Sequence, residues 1–330
     1  MSASPPATRS PVPPLAPGSI SLRLYPHELA PDALLAEMCA QARLAEAVGF
    51  DGVMTSEHHG GFRGYLPNPL QVAGFLLADM ERAWAAPCPL LLPLRHWTQV
   101  VEDVAWLAAR YPGRVGAGFA AGGLDRDFEL AEIPYSQRMA RFKQTLPQVT
   151  AALQGDSPGP LAGDAAVAAC AAQPVPCVSA ALSPPAARRA ARLGLGVLYD
   201  SLQTAERVRE VSQVHRASLP EHARGPAPRI LIRRVWLGPA PSSNVESQMG
   251  FYRGYADPGA QVHWGEGQEL VAAASGDELA ERLAQRLRAA DCDALNLRLH
   301  LHGLEPGAIR EQIERIGRQV LPGLRQALAA

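Results

Sequence analysis

The chain has 330 residues, of which 47% are hydrophobic and 19% charged, and its formal net charge is -1 at pH 7. This length and composition predict a globular protein with a sizeable core, as one large domain or two ordinary ones. The near-zero charge provides no basic surface for nucleic acid and no polybasic patch for a membrane, and no run of about 18 uncharged apolar residues occurs to span one.

The first 18 residues, MSASPPATRSPVPPLAPG, are rich in proline, serine and alanine. They lack the charged start and apolar core of a secretory signal, so we predict a disordered leader over 1–18. The five cysteines have no CxxC spacing, which indicates neither a disulfide framework nor a zinc ribbon. This cysteine usage fits a reducing, cytoplasmic location.

From residue 19 onward, short β-rich segments alternate with longer amphipathic ones, which is typical of βα units around a parallel sheet. The predicted strands are 19–25, 50–56, 88–94, 114–120, 175–181, 196–201, 229–237 and 293–300. The predicted helices are 31–48, 68–83, 98–111, 136–153, 185–194, 203–217, 276–290 and 307–329. Eight strands predict a single (β/α)8 TIM barrel over 19–330, somewhat above the usual length of about 250 residues. A doubly wound open sheet is the alternative.

Two predicted connections, 155–174 and 238–275, are unusually long, since structureless loops rarely exceed about 15 residues. The second contains FYRGYADPGAQVHWGEG, whose aromatic residues, arginine and glycines suit a lid over a site. A mobile insertion without a catalytic role is the alternative.

The ends of the predicted strands carry most of the candidate chemistry, as expected for a TIM barrel. Polar and aromatic residues at these ends are Tyr25, His27, Glu57, His58, His59, Arg95, His96, His300 and His302. The EHH sequence disfavours a metal site, because neighbouring side chains point to opposite sides of an extended backbone, and HExxH is absent. For the two adjacent histidines alone, hydrogen bonding to loop carbonyls is the alternative to a chemical role.

Other catalytic motifs are weak or absent. The stretch GAGFAAGG (116–123) resembles a dinucleotide fingerprint only loosely, and its small residues leave room for a flat ligand to approach. A Walker motif and a GxSxG nucleophile elbow are missing, and no cysteine has an obvious activating partner.

Four stretches of the sequence, taken in order, form a recognisable pattern. They are ARLAEAVGFDGVMTSEHHGG with PNPLQVAGFLL, then LLLPLRHWTQVVEDVAWLAARYPGRVGAGFAAGG, then ALSPPAARRAARLG, and finally LNLRLHLHG with IERIGRQVLPGLR. Together they resemble the bacterial luciferase-like flavin monooxygenases. The resemblance extends from the first strand to the last helix, and the family folds as a (β/α)8 barrel.

The resemblance implies a two-component monooxygenase with a reduced flavin at the C-terminal mouth of the barrel. Reduced FMN from a separate flavin reductase would react with O2 to a C4a-hydroperoxide, which would oxygenate a small, largely apolar organic substrate, by analogy in a biosynthetic tailoring step. One alternative is an oxidoreductase that uses a deazaflavin. Another is a flavin-free partner subunit, as the beta chain of bacterial luciferase illustrates. Relatives are usually dimers packed through the early helices, so we expect a homodimer, or a heterodimer with a related chain.

The resemblance also implies roles for individual residues. His58 would assist proton transfer near the flavin, and Glu57 and His59 would orient it or shape the pocket. The Cys88-Pro89 peptide would be cis and lie beneath the flavin ring.

At the phosphate side, Ser183 keeps the hydroxyl of the family, whereas Ala121, preceded by Ala120, stands where relatives that hold FMN tightly have an arginine. We therefore expect weak phosphate binding, or another arginine such as Arg126 or Arg253. The predicted substrate pocket consists of Tyr25, His27, Phe62, Tyr65 and His96.

Overall fold

The computed structural model describes residues 11–221, 226–256, 261–262, 264 and 270–329. A parallel sheet forms its centre. Its strands are β1 (Ile20–Arg23), β2 (Gly52–Thr55), β3 (Trp84–Pro87), β4 (Leu90–Leu91), β5 (Ala117–Ala120), β6 (Cys177–Ala180), β7 (Gly196–Leu198), β8 (Arg229–Leu237), β9 (Leu270–Ala273) and β10 (Ala294–Arg298). Their hydrogen-bonded order is β3-β2-β1-β10-β8-β7-β6-β5-β4, and β9 pairs with the C-terminal half of β8.

The sheet closes into a barrel where β3 meets the residues before β5. The amide of Ala85 donates to the carbonyl oxygen of Arg114 at 3.0 Å, and the amide of Gly116 donates back to Ala85 at 3.2 Å. With β3 and β4 counted as one interrupted strand, the described residues supply eight strand positions around the axis. The predicted (β/α)8 barrel is therefore confirmed, and the open-sheet alternative is wrong.

Helices surround the sheet. They are α1 (Pro31–Ala47), α2 (Pro69–Asp79), α3 (Trp97–Arg110), α4 (Asp125–Leu130), α5 (Arg138–Leu153), α6 (Ala165–Ala169), α7 (Pro184–Arg192), α8 (Ala205–Ala217), α9 (Ser242–Tyr255), α10 (Gly276–Ala289), α11 (Pro306–Gln319) and α12 (Leu321–Ala329). Helix α2 begins as the sequence predicts, with proline at its first position and Asn68 Oδ1 accepting from Gln71 N at 3.2 Å.

Two apolar layers stabilise the barrel. A large cluster lies between the sheet and the helices, and a smaller one fills the barrel interior. The interior cluster includes Leu15, which is 1% exposed and lies against Gly116. The leader predicted over 1–18 therefore joins the core at its C-terminal end, because an apolar side chain there closes the barrel interior. Residues 1–10 lie outside the described part of the chain.

The third strand differs from its prediction over 88–94. Pairing with β2 runs through Trp84–Pro87, and Leu92–Leu94 form a 3-10 turn. Helix α2 accordingly ends at Asp79 and not at residue 83. The run CPLLLPL resembles a buried strand because it is uniformly apolar, whereas the alanine-rich segment before it resembles a helix end.

The long connections contain secondary structure of their own. Residues 155–174 include a 3-10 turn at Gly159–Gly163 and helix α6, and 238–275 include α9 and β9. A further helix, α4, lies in the loop predicted after the fourth strand, and the last predicted helix is divided into α11 and α12.

No helix in the described ranges is both long enough and apolar enough to cross a membrane.

Candidate functional site

A cavity of about 500 Å³ opens at the C-terminal ends of the barrel strands. This volume is within the range of about 300 to 1,000 Å³ that is usual for small-molecule sites. Eight of the predicted site residues line it, namely Tyr25, Glu57, His58, Tyr65, Pro89, Ala120, Ala121 and Ser183. The strand-end pattern therefore locates the cavity, although it does not select every residue in the wall.

His58 lies in the cavity wall just after β2. Its Nδ1 is 2.7 Å from Oδ2 of Asp127, whose Oδ1 accepts from the amide of His59 at 2.9 Å. Asp127 belongs to α4 and is 1% exposed. With Nδ1–H donating to this carboxylate, Nε2 is the ring atom left to accept a proton or return it. The pair has the form of an oriented general base.

Glu57 connects the ends of two strands. Its Oε2 accepts from the amide of Leu91 at 2.7 Å, and its Oε1 accepts from Arg95 Nη2 at 2.8 Å. His59 Nε2 lies 2.8 Å from the same Oε1, and this hydrogen bond raises the pKa of His59. Glu57 thus holds β2 to β4, while His59 faces a second, smaller cavity. Opposite orientations of adjacent side chains explain this separation of His58 from His59.

The Cys88-Pro89 peptide bond is cis, as predicted. Pro89 lines the cavity, whereas Cys88 is fully buried behind it, and burial raises the pKa of its thiol to about 12. Arg23 Nη1 donates to the carbonyl oxygen of Cys88 at 2.9 Å. On the neighbouring strand, a Cβ at Gly118 would lie 2.1 Å from Cys88 Sγ, so glycine is required for this close packing.

One end of the cavity is suited to an anion. Ser183 precedes α7, and its hydroxyl does not cap that helix. Arg138 and Arg189 line the cavity together with it. Burial lowers the pKa of Arg189, whose guanidinium lies 5.4 Å from the ring centroid of Phe142. A hydroxyl with two guanidinium groups favours a phosphate-like ligand.

The arginines proposed from the sequence for this role lie elsewhere. Arg126 is exposed and donates to the carbonyl oxygen of Gly60, and Arg253 is exposed on α9. Neither lines the cavity, and Ala121, which does, carries no charge. Arg138 and Arg189 line the cavity instead. Both belong to helices, so a search of the strand ends does not find them.

Three predicted pocket residues are outside the cavity wall. His27 is buried behind it, with Nε2 2.8 Å from Gln41 Nε2, and burial lowers the pKa of the imidazole. Phe62 packs on the outer side of His58, at 5.0 Å between ring centroids. His96 is exposed and does not line the cavity. Strand β4 ends at Leu91, earlier than predicted, and the 3-10 turn that follows directs the chain away from the cavity.

Helix α9 forms an aromatic cover. Tyr252 and Tyr255 line the cavity together with Trp264, and Tyr255 is hydrogen-bonded to Tyr65. Burial raises the pKa of both of these tyrosines. The described part of the segment predicted as a lid thus contributes to the cavity wall, and 257–260, 263 and 265–269 lie outside the described residues.

Several cavity residues escape prediction from the sequence. They are Arg23, Arg138, Arg189, Asp200 and Arg298, with Asp127 behind His58. The stretch AAGGLDRDFE contained Asp127 without distinguishing it from its acidic neighbours. Within the described ranges, no three histidine, cysteine or carboxylate side chains come together as metal ligands.

The sequence matches the family described as luciferase-like monooxygenase over residues 19–321. An F420-dependent glucose-6-phosphate dehydrogenase from Beutenbergia cavernae is 32% identical over 177 residues, which are 50% of this chain and 52% of that protein. The alkanal monooxygenase beta chain of Vibrio harveyi is 26% identical over 113 residues, 34% of this chain and 35% of that protein. The chain thus matches about half or less of the length of these relatives.

Solved structures share the fold over nearly the whole chain. Monooxygenase RslO1 from Streptomyces bottropensis has a TM-score of 0.75 at 18% identity, with 92% of this chain and 99% of that one covered. The oxygenating constituent of 3,6-diketocamphane monooxygenase from Pseudomonas putida, solved in complex with FMN, has a TM-score of 0.71 at 15% identity, with 93% and 98% covered.

The strands close into a TIM barrel with a cavity at their C-terminal ends, where sites in this fold are usually placed. The chain belongs to the luciferase-like monooxygenase family, as the resemblance in the sequence predicted.

Proposed function

We propose that this protein is a flavin-dependent monooxygenase that uses reduced FMN from a separate reductase, together with O2, to oxygenate a small organic substrate. One observation carries the proposal. A single cavity combines a wall of Pro89 and small residues, an anion-binding end at Ser183, and the oriented base His58. Each of these suits a different part of a flavin mononucleotide.

The residues present fit the cofactor. Pro89 and the small residues Ala120 and Ala121 leave an uncrowded wall for the flavin ring. Ser183, Arg138 and Arg189 would hold the phosphate. Because Pro184 and Pro185 have no N–H, α7 offers few amides to the phosphate, and the two arginines supply most of the attraction. When bound, the reduced flavin supplies the electrons that activate O2.

His58 would move a proton at Nε2. The Asp127 carboxylate holds the ring through Nδ1, so Nε2 can accept a proton from the bound reactants and return it. The hydrogen bonds of Glu57 to Leu91 and Arg95 keep this strand end fixed while that happens.

The aromatic cover would limit the access of water. Tyr252 and Tyr255 of α9, with Tyr65 beneath them, place rings and not charges over the cavity. Exclusion of water protects a reactive oxygenating site from side reactions.

A deazaflavin-dependent oxidoreductase is the second candidate. It is favoured by the 32% identical relative, which is F420-dependent, and by Ala121, which lacks the phosphate-binding charge. In that case His58 would serve hydride transfer to or from the substrate by handling the accompanying proton.

We also infer that the protein forms a dimer through α2 and α3. Phe75 on α2 is 42% exposed and Trp106 on α3 is 56% exposed, although both are large apolar side chains. Sedimentation of the wild type and of Trp106→Glu tests this inference. We expect a dimer that the variant weakens, and a monomeric wild type would contradict it.

The reaction with O2 tests the enzymatic proposal without a known substrate. Free reduced FMN is oxidised by O2 with release of hydrogen peroxide, and binding in a closed cavity should delay that release. We expect wild-type protein to slow peroxide formation from reduced FMN, and His58→Ala to alter the rate. Peroxide release at the rate of free reduced FMN, at saturating protein, would argue against a monooxygenase.

A further inference from the structure

Three arginines lie side by side across three neighbouring strands. Arg23 of β1 is the register partner of Arg298 of β10, which is in turn the partner of Arg234 of β8. The three point into the barrel. Arg23 Nε donates to Asn296 Oδ1 at 2.6 Å, and Ile232, two residues before Arg234, belongs to the interior cluster. We refer to Arg23, Arg298 and Arg234 as the arginine row.

The arginine row is buried without an ion pair to balance it. The exposed fractions are 4% for Arg23, 4% for Arg298 and 0% for Arg234. Among the described residues, none of the three forms an ion pair with a carboxylate. Adjacent like charges and unpaired buried charges both destabilise a fold, so this arrangement needs a compensating group.

Arg23 and Arg234 differ in what they contact. Arg23 donates to Asn296, to the hydroxyl of Ser56 and to the carbonyl oxygen of Cys88. The Arg234 Nη1 atom lies 3.1 Å from the sulfur of Met249. Burial and the charge of Arg298 lower the pKa of Arg234 to about 9, which reflects how poorly its charge is compensated.

Of the three arginines, Arg298 lines the cavity and has guanidinium nitrogens without a hydrogen-bond partner among the described residues. Its guanidinium carbon lies 4.1 Å from the ring centroid of Tyr25 and 5.0 Å from that of Tyr252. The Nε and Nη2 atoms have no hydrogen-bond partner in the described part of the chain. Two aromatic rings thus fix a planar donor at the cavity wall while leaving donors unused.

The two carboxylates in the described cavity wall, Glu57 and Asp200, do not form an ion pair with Arg298. Both oxygens of Glu57 already accept hydrogen bonds from Leu91, Arg95 and His59. Asp200 accepts from the amide of Leu202 at 3.0 Å and is hydrogen-bonded to Trp264. Burial raises the pKa of Asp200, the positive charge of Arg298 opposes that rise, and no ion pair joins the two side chains.

Arg23 and Arg298 lie away from the anion-binding end at Ser183. That end follows β6, which is separated in the sheet order from β10 by β7 and β8, and from β1 by β10 as well. In a closed eight-stranded barrel β1 lies opposite β6 and β10 is three strands away, whereas β8, which carries Arg234, is only two strands away. One anion cannot occupy both ends unless it spans the cavity.

We propose that the arginine row binds an anionic oxygen of the organic substrate, which is a small aromatic or apolar acid whose carboxylate contacts Arg298. This rests on the proposed function, because it places the substrate beside the cofactor. It also modifies the expectation of a largely apolar substrate, because it adds an acid group. The rings of Tyr25, Tyr65 and Tyr252 would surround the apolar part, and the row would fix the acid group.

The test uses two probes of equal shape, 2-naphthoate and 2-naphthamide, titrated calorimetrically into the full-length protein without cofactor. We expect the acid to bind at least about tenfold more tightly, as a charge-assisted contact to a buried guanidinium requires. The preference should disappear in Arg298→Gln and be partly retained in Arg298→Lys. It should be unchanged in Arg192→Gln, which removes an exposed arginine.

Equal binding of acid and amide, or no binding of either, would overturn the inference. So would an acid preference that Arg298→Gln leaves intact or that Arg138→Gln abolishes, since the anion would then lie at the other end. If Arg298→Gln does not fold, as circular dichroism would show, the comparison of the two probes on wild type and on Arg298→Lys decides.

One further titration distinguishes failure of the substrate proposal from failure of the proposed function. The acid titration is repeated with saturating FMN, and we expect the acid still to bind. Loss of acid binding would mean that the row serves the flavin itself, and would overturn the inference. Binding of reduced FMN without binding of the acid leaves the proposed function standing and rejects only the substrate class.

Discussion

The Nδ1 atom of His58 lies 2.7 Å from Oδ2 of Asp127, which joins the end of β2 to the first turn of α4. The second carboxylate oxygen accepts from the amide of His59, so one buried side chain fixes both the imidazole ring and its backbone. Removal of the acid should therefore affect the orientation of the His58 ring and of its backbone together.

We predict that Asp127→Asn lowers turnover with saturating reduced cofactor by about 100-fold, the lower end of the range of general acid–base contributions. The amide can donate to Nδ1 instead of accepting from it, which would place the ring proton on Nε2. His58→Ala and the double variant complete the cycle, and losses that are far from additive would identify one functional unit. Independent, additive effects of the two substitutions would contradict the pairing.

The anion-binding end predicts a difference between two flavins. Arg138→Gln should weaken the binding of FMN about tenfold or more, because a charge-assisted contact is lost, and leave the binding of riboflavin, which has no phosphate, nearly unchanged. Fluorescence titrations of both flavins measure this difference. In the opposite direction, Ala121→Arg should tighten FMN binding. An equal loss for both flavins in Arg138→Gln would show that Arg138 does not contact the phosphate.

The close packing of Gly118 against Cys88 predicts that one added methyl group destabilises the protein. In Gly118→Ala the new Cβ would lie 2.1 Å from Cys88 Sγ, so we expect a loss of about 1 to 3 kcal/mol in the free energy of unfolding. Gly123→Ala is the matched control, since no atom lies within 4 Å of its Cβ position. Denaturant unfolding of both variants makes the comparison. A Gly118→Ala protein as stable as the control would mean that the strand moves freely at this point.

Acid should destabilise the protein through His302. Burial and nearby arginines lower the pKa of this imidazole to about 4 in the folded state, against 6.5 for an ordinary histidine. The unfolded chain therefore takes up the proton first as the pH falls. Stability should decline between about pH 6.5 and 4 by on the order of 3 kcal/mol from this group, and no further below that.

Melting temperatures across this pH range test the effect. His302→Gln should lose less stability than wild type between pH 6.5 and 4, and the exposed His96→Gln should behave as wild type. Parallel pH profiles for His302→Gln and wild type would show that other groups, such as the buried His300 and His27, account for the acid sensitivity.

Features that depend on local sequence could be predicted, whereas features that depend on tertiary packing could not. The alternation of strands and helices is local in the chain, so the barrel and the strand-end position of His58 follow from short patterns. The cis Cys88-Pro89 bond is expected from the resemblance to the family. The partners of those residues depend on tertiary packing. Asp127 reaches His58 from a helix 69 residues away, and Arg138 enters the cavity wall from another helix.

The arginine row illustrates the same limit. Each of its members stands in a strand that was predicted correctly, and alternation along a strand allows it to face inward. That three of them lie in one register across β1, β10 and β8 depends on the pairing of strands far apart in the chain.

The most direct test is an anaerobic titration of the protein with reduced FMN and, separately, with reduced deazaflavin, followed by fluorescence or calorimetry. Our account predicts that reduced FMN binds the cavity with a Kd well below about 1 mM, that it binds more tightly than the deazaflavin, and that Arg138→Gln weakens it. Preferential binding of the deazaflavin would favour the second candidate function. If neither cofactor binds below about 1 mM, the cavity does not hold a flavin, and a cofactor-free partner subunit becomes the better account of this protein.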